Sequence, residues 1–200
     1  MLRSYFSQEN IVECGCDEAG RGCLAGPVVA AAVVLPRDFA CKELNDSKKL
    51  SDKARRRLRP VIESNALSYA VAFVDNNTID KINILQAAFL AMSNAVRKLS
   101  LRPDLLLIDG NRFYSDLNIP FECIVKGDGK FQSIAAASIL AKTYRDDFMI
   151  EAHQSYPLYD WNKNMGYPTA KHRAAIVQHG FTPLHRKSFN CIGQMSLFLF

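Results

Sequence analysis

Four acidic residues have the types and positions that metal-dependent phosphate chemistry would need. Asp17 and Glu18 are adjacent in the stretch GCDEAGRGCLAGP, and two later acids, Asp109 and Asp128, each precede a glycine. Adjacent carboxylates repel when both are ionised, so a folded protein that holds them needs a cation nearby. A single Asp-Gly pair is more typical of a turn or a solvated loop, so only the set of four indicates a site.

Carboxylate oxygens without histidine or thiolate partners are the ligands that Mg²⁺ and Mn²⁺ prefer and that zinc does not. One ion needs one or two carboxylates, whereas four can hold two ions about 3.5–4 Å apart. Two ions at this spacing suit phosphodiester hydrolysis, because one activates a water and the other stabilises the leaving oxygen. The expected catalytic residues and metal ligands are Asp17, Glu18, Asp109 and Asp128.

The loop after the first two acids is suited to contacting a substrate. Gly20, Arg21 and Gly22 follow them almost directly. Glycine lets backbone amides approach a phosphate or a sugar hydroxyl without a Cβ atom in the way. A tight turn after a strand has the same composition, so this loop indicates substrate binding only because the acids lie beside it.

Alternating strands and helices are predicted to position these residues. The predicted strands are 11–17, 28–35, 67–74, the buried run DLLLIDG that ends at Asp109, and 121–125. One predicted helix begins at Ser51 and a second near Thr78. A third contains the alanine-rich SIAAASILAK, and the last spans 169–179 and stops at Gly180. Pro60 should kink or shorten the first helix. This order predicts an α/β fold with helical additions near the C-terminal end.

The strand ends explain why these acids could meet. In open α/β sheets the chemistry lies beyond the carboxyl ends of the strands, where loops converge. The acids at 17–18, 109 and 128 fall at such ends, and Asp104 falls at the opposite end of its strand. Asp104 is therefore excluded from the predicted site.

The composition fits a globular protein that can bind an anionic partner. Hydrophobic residues make up 48% of the chain and charged residues 22%, and the net charge of +5 is mild evidence for nucleic acid. The longest apolar run, 24–35, contains Pro27 and is too short to cross a membrane. The stretch MLRSYFSQEN lacks the apolar core of a signal peptide, which favours the cytoplasm. The six cysteines form no C-x-x-C pair and are expected to be reduced core residues.

Seven motifs occur in one order over most of the chain through Phe189. They are DEAGRG at 17–22, NDSKKLS at 45–51, LLIDG at 106–110, KGD at 126–128, SIAAASILAKTYRD at 133–146, GYPTAKH at 166–172 and PLHRKSF at 183–189. Together they resemble ribonuclease HII, the type 2 ribonuclease H family. The resemblance implies an RNase H-like fold with a central mixed sheet in a catalytic domain over 1–190. It also implies a metal-dependent endonuclease.

The resemblance further implies the substrates and the residues that contact them. The enzyme would cut the RNA strand of RNA/DNA hybrids and incise 5′ of ribonucleotides embedded in duplex DNA, leaving 3′-OH and 5′-phosphate ends. Asp17, Glu18, Asp109 and Asp128 match the family's catalytic carboxylates. Gly20, Arg21 and Gly22 match the loop that recognises the 2′-OH, Tyr167 matches a tyrosine that packs on the following sugar, and Lys48 and Lys142 match phosphate contacts.

Two other functions share parts of this pattern. The sister type, ribonuclease HIII, usually carries an additional N-terminal substrate-binding domain, and only sixteen residues precede Asp17 here. A catalytically inactive hybrid-binding module of the same fold is the second alternative. The presence of all four acids argues against it, and metal-dependent nicking would distinguish the two.

The C-terminal residues 191–200 are predicted to form a separate tail. Gln194, Met195, Leu197 and Phe198 lie in the sequence GQMSLFLF. This sequence resembles the short peptides by which bacterial replication and repair proteins bind the sliding clamp, with Met195 in place of the usual leucine. Such peptides insert apolar side chains into preformed pockets. The alternative is that these side chains cover the protein's own core.

Overall fold

The computed structural model describes residues 2–45, 47 and 49–191. Five strands form one sheet: β1 (Glu13–Ala19), β2 (Val28–Val34), β3 (Ser68–Val74), β4 (Leu105–Asp109) and β5 (Phe121–Ile124). Their order across the sheet is β3-β2-β1-β4-β5. The β1–β2 and β2–β3 pairs are antiparallel, whereas the β1–β4 and β4–β5 pairs are parallel. The mixed sheet and the approximate positions of its strands are thus as predicted.

Five α-helices complete the described fold: α1 (Asp52–Asn65), α2 (Asn76–Arg97), α3 (Gln132–Ser155), α4 (Trp161–Asn164) and α5 (Ala170–His179). Single 3₁₀ turns occur at Gly127–Gly129 and Pro157–Tyr159. Helix α5 begins after Thr169, whose side chain accepts a hydrogen bond from His172 N, and it ends at Gly180. The α/β class with a helical extension after the sheet is confirmed.

Helices α2 and α3 cover opposite faces of the sheet. Successive residues of a strand point to opposite faces. Cys14 and Cys16 of β1 pack in a cluster with α2, whereas Ala31 and Val33 of β2 pack against small residues of α3. Every residue of β2 is buried. The sheet is therefore the middle layer of three, and its edges and strand ends remain available for a site.

The first helix does not end at its proline. Ser51 Oγ accepts a hydrogen bond from Ala54 N at 3.2 Å, as the sequence predicts, and α1 continues beyond Pro60 to Asn65. The predicted shortening is wrong. Leu58 and Ile62, on either side of the proline, are buried in the cluster that contains α3. Their burial offsets the backbone hydrogen bond that proline cannot donate.

Helix α2 begins earlier than predicted and is interrupted. Asp75 caps it by accepting a hydrogen bond from Thr78 N at 2.7 Å. Asn83 has φ 65° and ψ 165°, which breaks the helix, and its Oδ1 accepts hydrogen bonds from the backbone N atoms of Leu85 and Gln86. Asparagine tolerates positive φ better than most residues and can cap the new helical segment.

All six cysteines are free thiols, and four of them are buried. Within the described ranges, none of the helices combines the length and the hydropathy that a bilayer-spanning segment requires.

Candidate active site

The parallel strands bring three acids to one edge of the sheet. Cys16 of β1 pairs with Ile108 of β4, so the next residues, Asp17 and Asp109, lie at the same level of the two strands. Strand β5 runs parallel beside β4, and the 3₁₀ turn after it carries Asp128. The convergence at carboxyl strand ends that the sequence predicts is present for these three acids.

The carboxylates of Asp17, Asp109 and Asp128 form a compact group. One oxygen atom from each lies within 4.8 Å of the others. Asp17 and Asp128 are buried, and Asp109 is partly exposed. Asp109 Oδ1 accepts a hydrogen bond from Gly127 N at 2.7 Å, which joins the end of β4 to the turn that carries Asp128. Three oxygen donors in so small a volume fit a hard divalent cation such as Mg²⁺ or Mn²⁺.

Burial and neighbouring charge act on the Asp17 carboxyl. Its pKa is raised well above the usual range, chiefly because burial disfavours the charged form and also because Glu18 and Asp109 repel it. Hydrogen bonds from the Ser138 side chain and the Glu18 backbone oppose this rise. Ser138 Oγ also lies 2.8 Å from Ser47 Oγ, so a pair of buried hydroxyls lies beside the Asp17 carboxyl. A bound cation would favour ionised Asp17 and remove the repulsion.

Glu18 lies beside the three aspartates, but its side chain leaves β1 on the opposite face of the sheet from Asp17. It follows Asp17 directly in β1, and consecutive strand residues point to opposite faces. Its Oε1 accepts a hydrogen bond from Arg21 Nη1 at 3.0 Å. Among the described residues, the acids that share the 4.8 Å group are the three aspartates. Glu18, the fourth predicted carboxylate, therefore connects β1 to the glycine-rich loop through its hydrogen bond with Arg21.

The glycine-rich loop borders an open cleft next to the acids. The cleft has a volume of about 440 Å³. It is lined by Asp17, Glu18, Ala19, Gly20, Arg21, Gly22, Ser47, Ser138 and Tyr167. Gly20 has φ +94°, a conformation that L side chains rarely adopt, and the side chain of Arg21 is about half exposed, at 51%. Predicted carboxylates, loop residues and the predicted tyrosine thus share one surface.

Two buried arginines support this loop, and the sequence reasoning assigned them no role. Arg186 is fully buried and donates hydrogen bonds from Nε to Gly26 O and from Nη1 to Arg21 O, both at 3.0 Å. Burial lowers the pKa of Arg186 to about 10. Arg145 of α3 is also fully buried beneath the loop. Both lie in quoted motifs, but only the folded chain brings them to the loop.

The other predicted substrate contacts have different outcomes. Lys142 Nζ forms a salt bridge with Asp146 at 2.6 Å and lies 5.7 Å from the ring centroid of Tyr167. Tyr167 is 39% exposed, and burial is the main cause that raises the pKa of its hydroxyl. Lys48 and the predicted clamp-binding residues Gln194, Met195, Leu197 and Phe198 lie outside the described residues.

Comparisons with known proteins agree with the motif resemblance. The family model described as Ribonuclease HII matches residues 14–192. A curated relative, "Ribonuclease HII" of Bacteroides thetaiotaomicron, is 61% identical over 197 residues, which cover 98% of each chain. Many further curated relatives match as well.

Solved structures show the same fold at lower identity. The Mn²⁺ complex of Bst-RNase HIII superposes with a TM-score of 0.74 at 22% identity, covering 91% of this chain and 68% of that chain. The PCNA:RNase HII complex from Archaeoglobus fulgidus also gives a TM-score of 0.74 at 22% identity, covering 90% of this chain and 95% of that chain.

Proposed function

The chain belongs to the ribonuclease HII family of endoribonucleases, and we propose that it hydrolyses the RNA strand of RNA/DNA hybrids with divalent cations held by Asp17, Asp109 and Asp128. The observation that carries this proposal is the group of three carboxylates within 4.8 Å, at the edge where three parallel strands end. Glu18 is the fourth proposed ligand, because it borders the same cleft.

The donor set fits Mg²⁺ or Mn²⁺. All the ligand atoms are carboxylate oxygens. The pKa of Asp17 is raised chiefly by burial and also by repulsion from Glu18 and Asp109, and a bound cation would oppose both effects. The related Bst-RNase HIII was solved with Mn²⁺, which supports the choice of a hard divalent ion. Two such ions, when bound, supply a more acidic water and stabilise the leaving 3′-oxygen.

The residues of the cleft are proposed to choose the scissile bond. Only the 2′-OH distinguishes a ribonucleotide from a deoxyribonucleotide at one position, so a donor or acceptor must reach it. Gly20, Arg21 and Gly22 line the same cleft as Asp17, which supports the proposal that their backbone contacts the 2′-OH. Tyr167, which also lines this cleft, is proposed to pack against the sugar of the following deoxynucleotide.

Lysines are proposed to hold the backbone of the duplex. Lys142 projects near Tyr167 and is oriented by its salt bridge with Asp146. A lysine contact to phosphate positions a duplex without reading its sequence. Lys48 is the second proposed phosphate contact. We propose incision 5′ of ribonucleotides embedded in duplex DNA, as the motif resemblance to the family implies.

The test is to incubate the protein with a DNA duplex that contains one ribonucleotide, in Mg²⁺, in Mn²⁺ and with EDTA. We expect a single cut 5′ of the ribonucleotide, leaving a 3′-hydroxyl and a 5′-phosphate, and no cut with EDTA. A 2′,3′-cyclic phosphate product would contradict the proposal, since it would mean that the 2′-OH is the nucleophile. Binding without cleavage in either metal would favour the inactive hybrid-binding module.

We also infer that the C-terminal tail binds the bacterial sliding clamp. The related protein from Archaeoglobus fulgidus was solved as a complex with PCNA, which supports a clamp as partner. In this chain the candidate segment is GQMSLFLF, with Gln194, Met195, Leu197 and Phe198 as the proposed contacts. Binding to a clamp would bring the enzyme to newly copied DNA, where ribonucleotides remain to be removed.

A further inference from the structure

The guanidinium of Arg145 connects two chain segments that border the cleft. Arg145 lies in α3 and is fully buried. Its Nε donates a hydrogen bond to Pro27 O at 3.0 Å, and its Nη2 donates one to Ala25 O at 3.0 Å. Its Nη1 donates a third to Met165 O at 2.7 Å. The first two acceptors belong to the segment that follows the Gly20–Gly22 loop, and the third lies two residues before Tyr167.

These two segments also touch each other directly. Leu24 N donates a hydrogen bond to Gly166 O at 2.8 Å. A Cβ atom at Gly166 would lie 2.7 Å from Ala25 O, and this glycine has φ +79°. The residue immediately before Tyr167 therefore rests on the backbone of the loop segment. The position of Tyr167 relative to the loop depends on this contact.

The loop itself lies on the Arg145 side chain. A Cβ atom at Gly20 would be 2.0 Å from Arg145 Nε and 2.5 Å from its Cδ. Two features therefore require glycine at position 20: its positive φ and its close contact with the Arg145 side chain. Arg145 therefore packs against Gly20 of the loop and also donates a hydrogen bond to Met165 O.

The chemistry of the contact is specific to a guanidinium. Three nitrogen atoms of one planar group reach three carbonyls on two segments, and a lysine ammonium cannot reproduce that fixed fork. Among the described residues, Arg145 forms no salt bridge with a carboxylate. Its partners are the three carbonyls and the ring of Tyr167, whose centroid lies 6.0 Å from the guanidinium carbon. Burying a guanidinium away from water costs free energy, and the three hydrogen bonds to carbonyls offset part of that cost.

We propose that Arg145 is a positioning residue that sets the distance between the Gly20–Gly22 loop and Tyr167, and so sets the preference for a ribonucleotide followed by a deoxyribonucleotide. This inference rests on the proposed function, in which the loop contacts the 2′-OH and Tyr167 packs on the next sugar. The hydrogen bonds of Arg145 go to carbonyls beside the loop and Tyr167 and not to a proposed metal ligand, so its replacement should change substrate choice more than the hydrolytic step.

The test compares two substrates of equal length, a DNA duplex with one ribonucleotide and a continuous RNA/DNA hybrid. The quantity measured is the ratio of kcat/KM for the first substrate to kcat/KM for the second. We expect Arg145→Lys to lower this ratio by at least about tenfold, since a misplacement of about 1 Å can cost up to about 100-fold in rate. A purely structural role would lower both values equally and leave the ratio unchanged.

A double-mutant cycle with Tyr167→Ala shows whether the two residues act together. If Arg145 acts by placing Tyr167, the double variant should have a ratio within about threefold of the lower single variant, because the second change removes little more. Independent effects would instead multiply. The ratio does not depend on the concentration of active enzyme, so partial unfolding of a variant does not mimic the effect, and Arg145→Gln provides a second variant.

Arg37→Lys is the matched control. Arg37 also donates hydrogen bonds to two backbone carbonyls, those of Glu9 and Ser7, but it lies outside the cleft. It should keep the ratio of the unmodified protein. A folded Arg145→Lys or Arg145→Gln protein with an unchanged ratio overturns the inference alone. Failure of the unmodified protein to cut either substrate in Mg²⁺ or Mn²⁺ overturns the proposed function, and the inference falls with it.

Discussion

Gly15 of β1 lies directly against the backbone of Ser133 in α3. A Cβ atom at Gly15 would be 2.2 Å from the carbonyl carbon of Ser133 and 2.4 Å from Ile134 N. Backbone atoms cannot move aside as a flexible side chain can, so Gly15→Ala should displace α3 from the sheet. We expect a loss of unfolding free energy of about 1–3 kcal/mol or more, measured by urea unfolding.

Gly129→Ala is the control for that experiment. Gly129 is exposed, and a Cβ atom there would meet nothing within 4 Å. The unfolding free energy of the Gly129→Ala variant should stay within about 0.5 kcal/mol of the value for the unmodified protein. Equal stabilities of the two variants would show that α3 can retreat from β1 without cost.

The layers of this fold follow from the sequence, but their closest contacts do not. Strand periodicity predicts the five strands, and Ser51 and Gly180 predict helix ends, because these signals are local. The interruption of α2 at Asn83 and the contact of Gly15 with α3 depend on how distant segments pack. The persistence of α1 beyond Pro60 has the same origin, since burial against α3 outweighs a local preference.

Asp109→Asn should abolish cleavage while the protein still binds the hybrid. Asparagine keeps an oxygen that can accept the hydrogen bond from Gly127 N, so the turn should be retained. The lost negative charge weakens cation binding at this position, and we expect kcat to fall by at least about 100-fold. Single-turnover cleavage and equilibrium binding, both in Mg²⁺, measure the two properties separately.

Asp104→Asn is the matched control for Asp109→Asn. Asp104 lies at the other end of β4, where its Oδ2 accepts a hydrogen bond from Val12 N at 2.9 Å. This variant should cleave at the rate of the unmodified protein. Near-normal turnover by Asp109→Asn at any Mg²⁺ concentration would mean that the wrong carboxylates have been chosen.

The candidate site could be anticipated only in part. Its acids could be predicted because each lies at or just after the carboxyl end of a strand, and parallel strands bring such residues to one edge. The opposite orientation of Glu18 follows from strand alternation once β1 is known to extend to Ala19. The support of the loop by Arg145 and Arg186 had no local signal, because both arginines lie more than a hundred residues along the chain from the loop-side carbonyls that they contact.

Protonation of His185 should destabilise the protein in mild acid. His185 Nδ1 accepts a hydrogen bond from Thr182 N at 2.9 Å, so its proton resides on Nε2, which faces His172 Nε2 at 3.2 Å. Trp161 Nε1 also donates to His172 Nε2, at 2.9 Å. A second proton on His185 would have to face the Thr182 N–H, within a buried cluster.

The sign of the effect follows from the pKa. Burial, together with repulsion from His172, lowers the pKa of His185 from 6.5 to about 4. The unfolded state therefore binds the proton more readily, and this contribution to stability is complete above about pH 6.5 and is lost as the pH falls towards 4. The loss should reach about 3 kcal/mol for this group.

Urea unfolding at pH 7, 5.5 and 4 measures this effect. His185→Gln should be less stable at pH 7 and should show a flatter pH dependence than the unmodified protein. His179→Gln, at an exposed position, should keep the unmodified pH dependence. Identical slopes for His185→Gln and the unmodified protein would assign the acid sensitivity to other groups.

Removal of residues 194–200 should separate cleavage from clamp binding. If the tail binds the clamp through apolar side chains, the truncated protein should cleave a short oligonucleotide duplex at the unmodified rate and lose binding to the host's purified clamp. In the full chain, replacing Leu197 and Phe198 together by alanine should have the same effect, whereas Ser196→Ala should retain binding.

Surface plasmon resonance on immobilised clamp measures the affinities, and thermal unfolding checks each variant. Absence of binding by the intact chain, or unfolding of the truncated one, would instead assign these residues to the protein's own core.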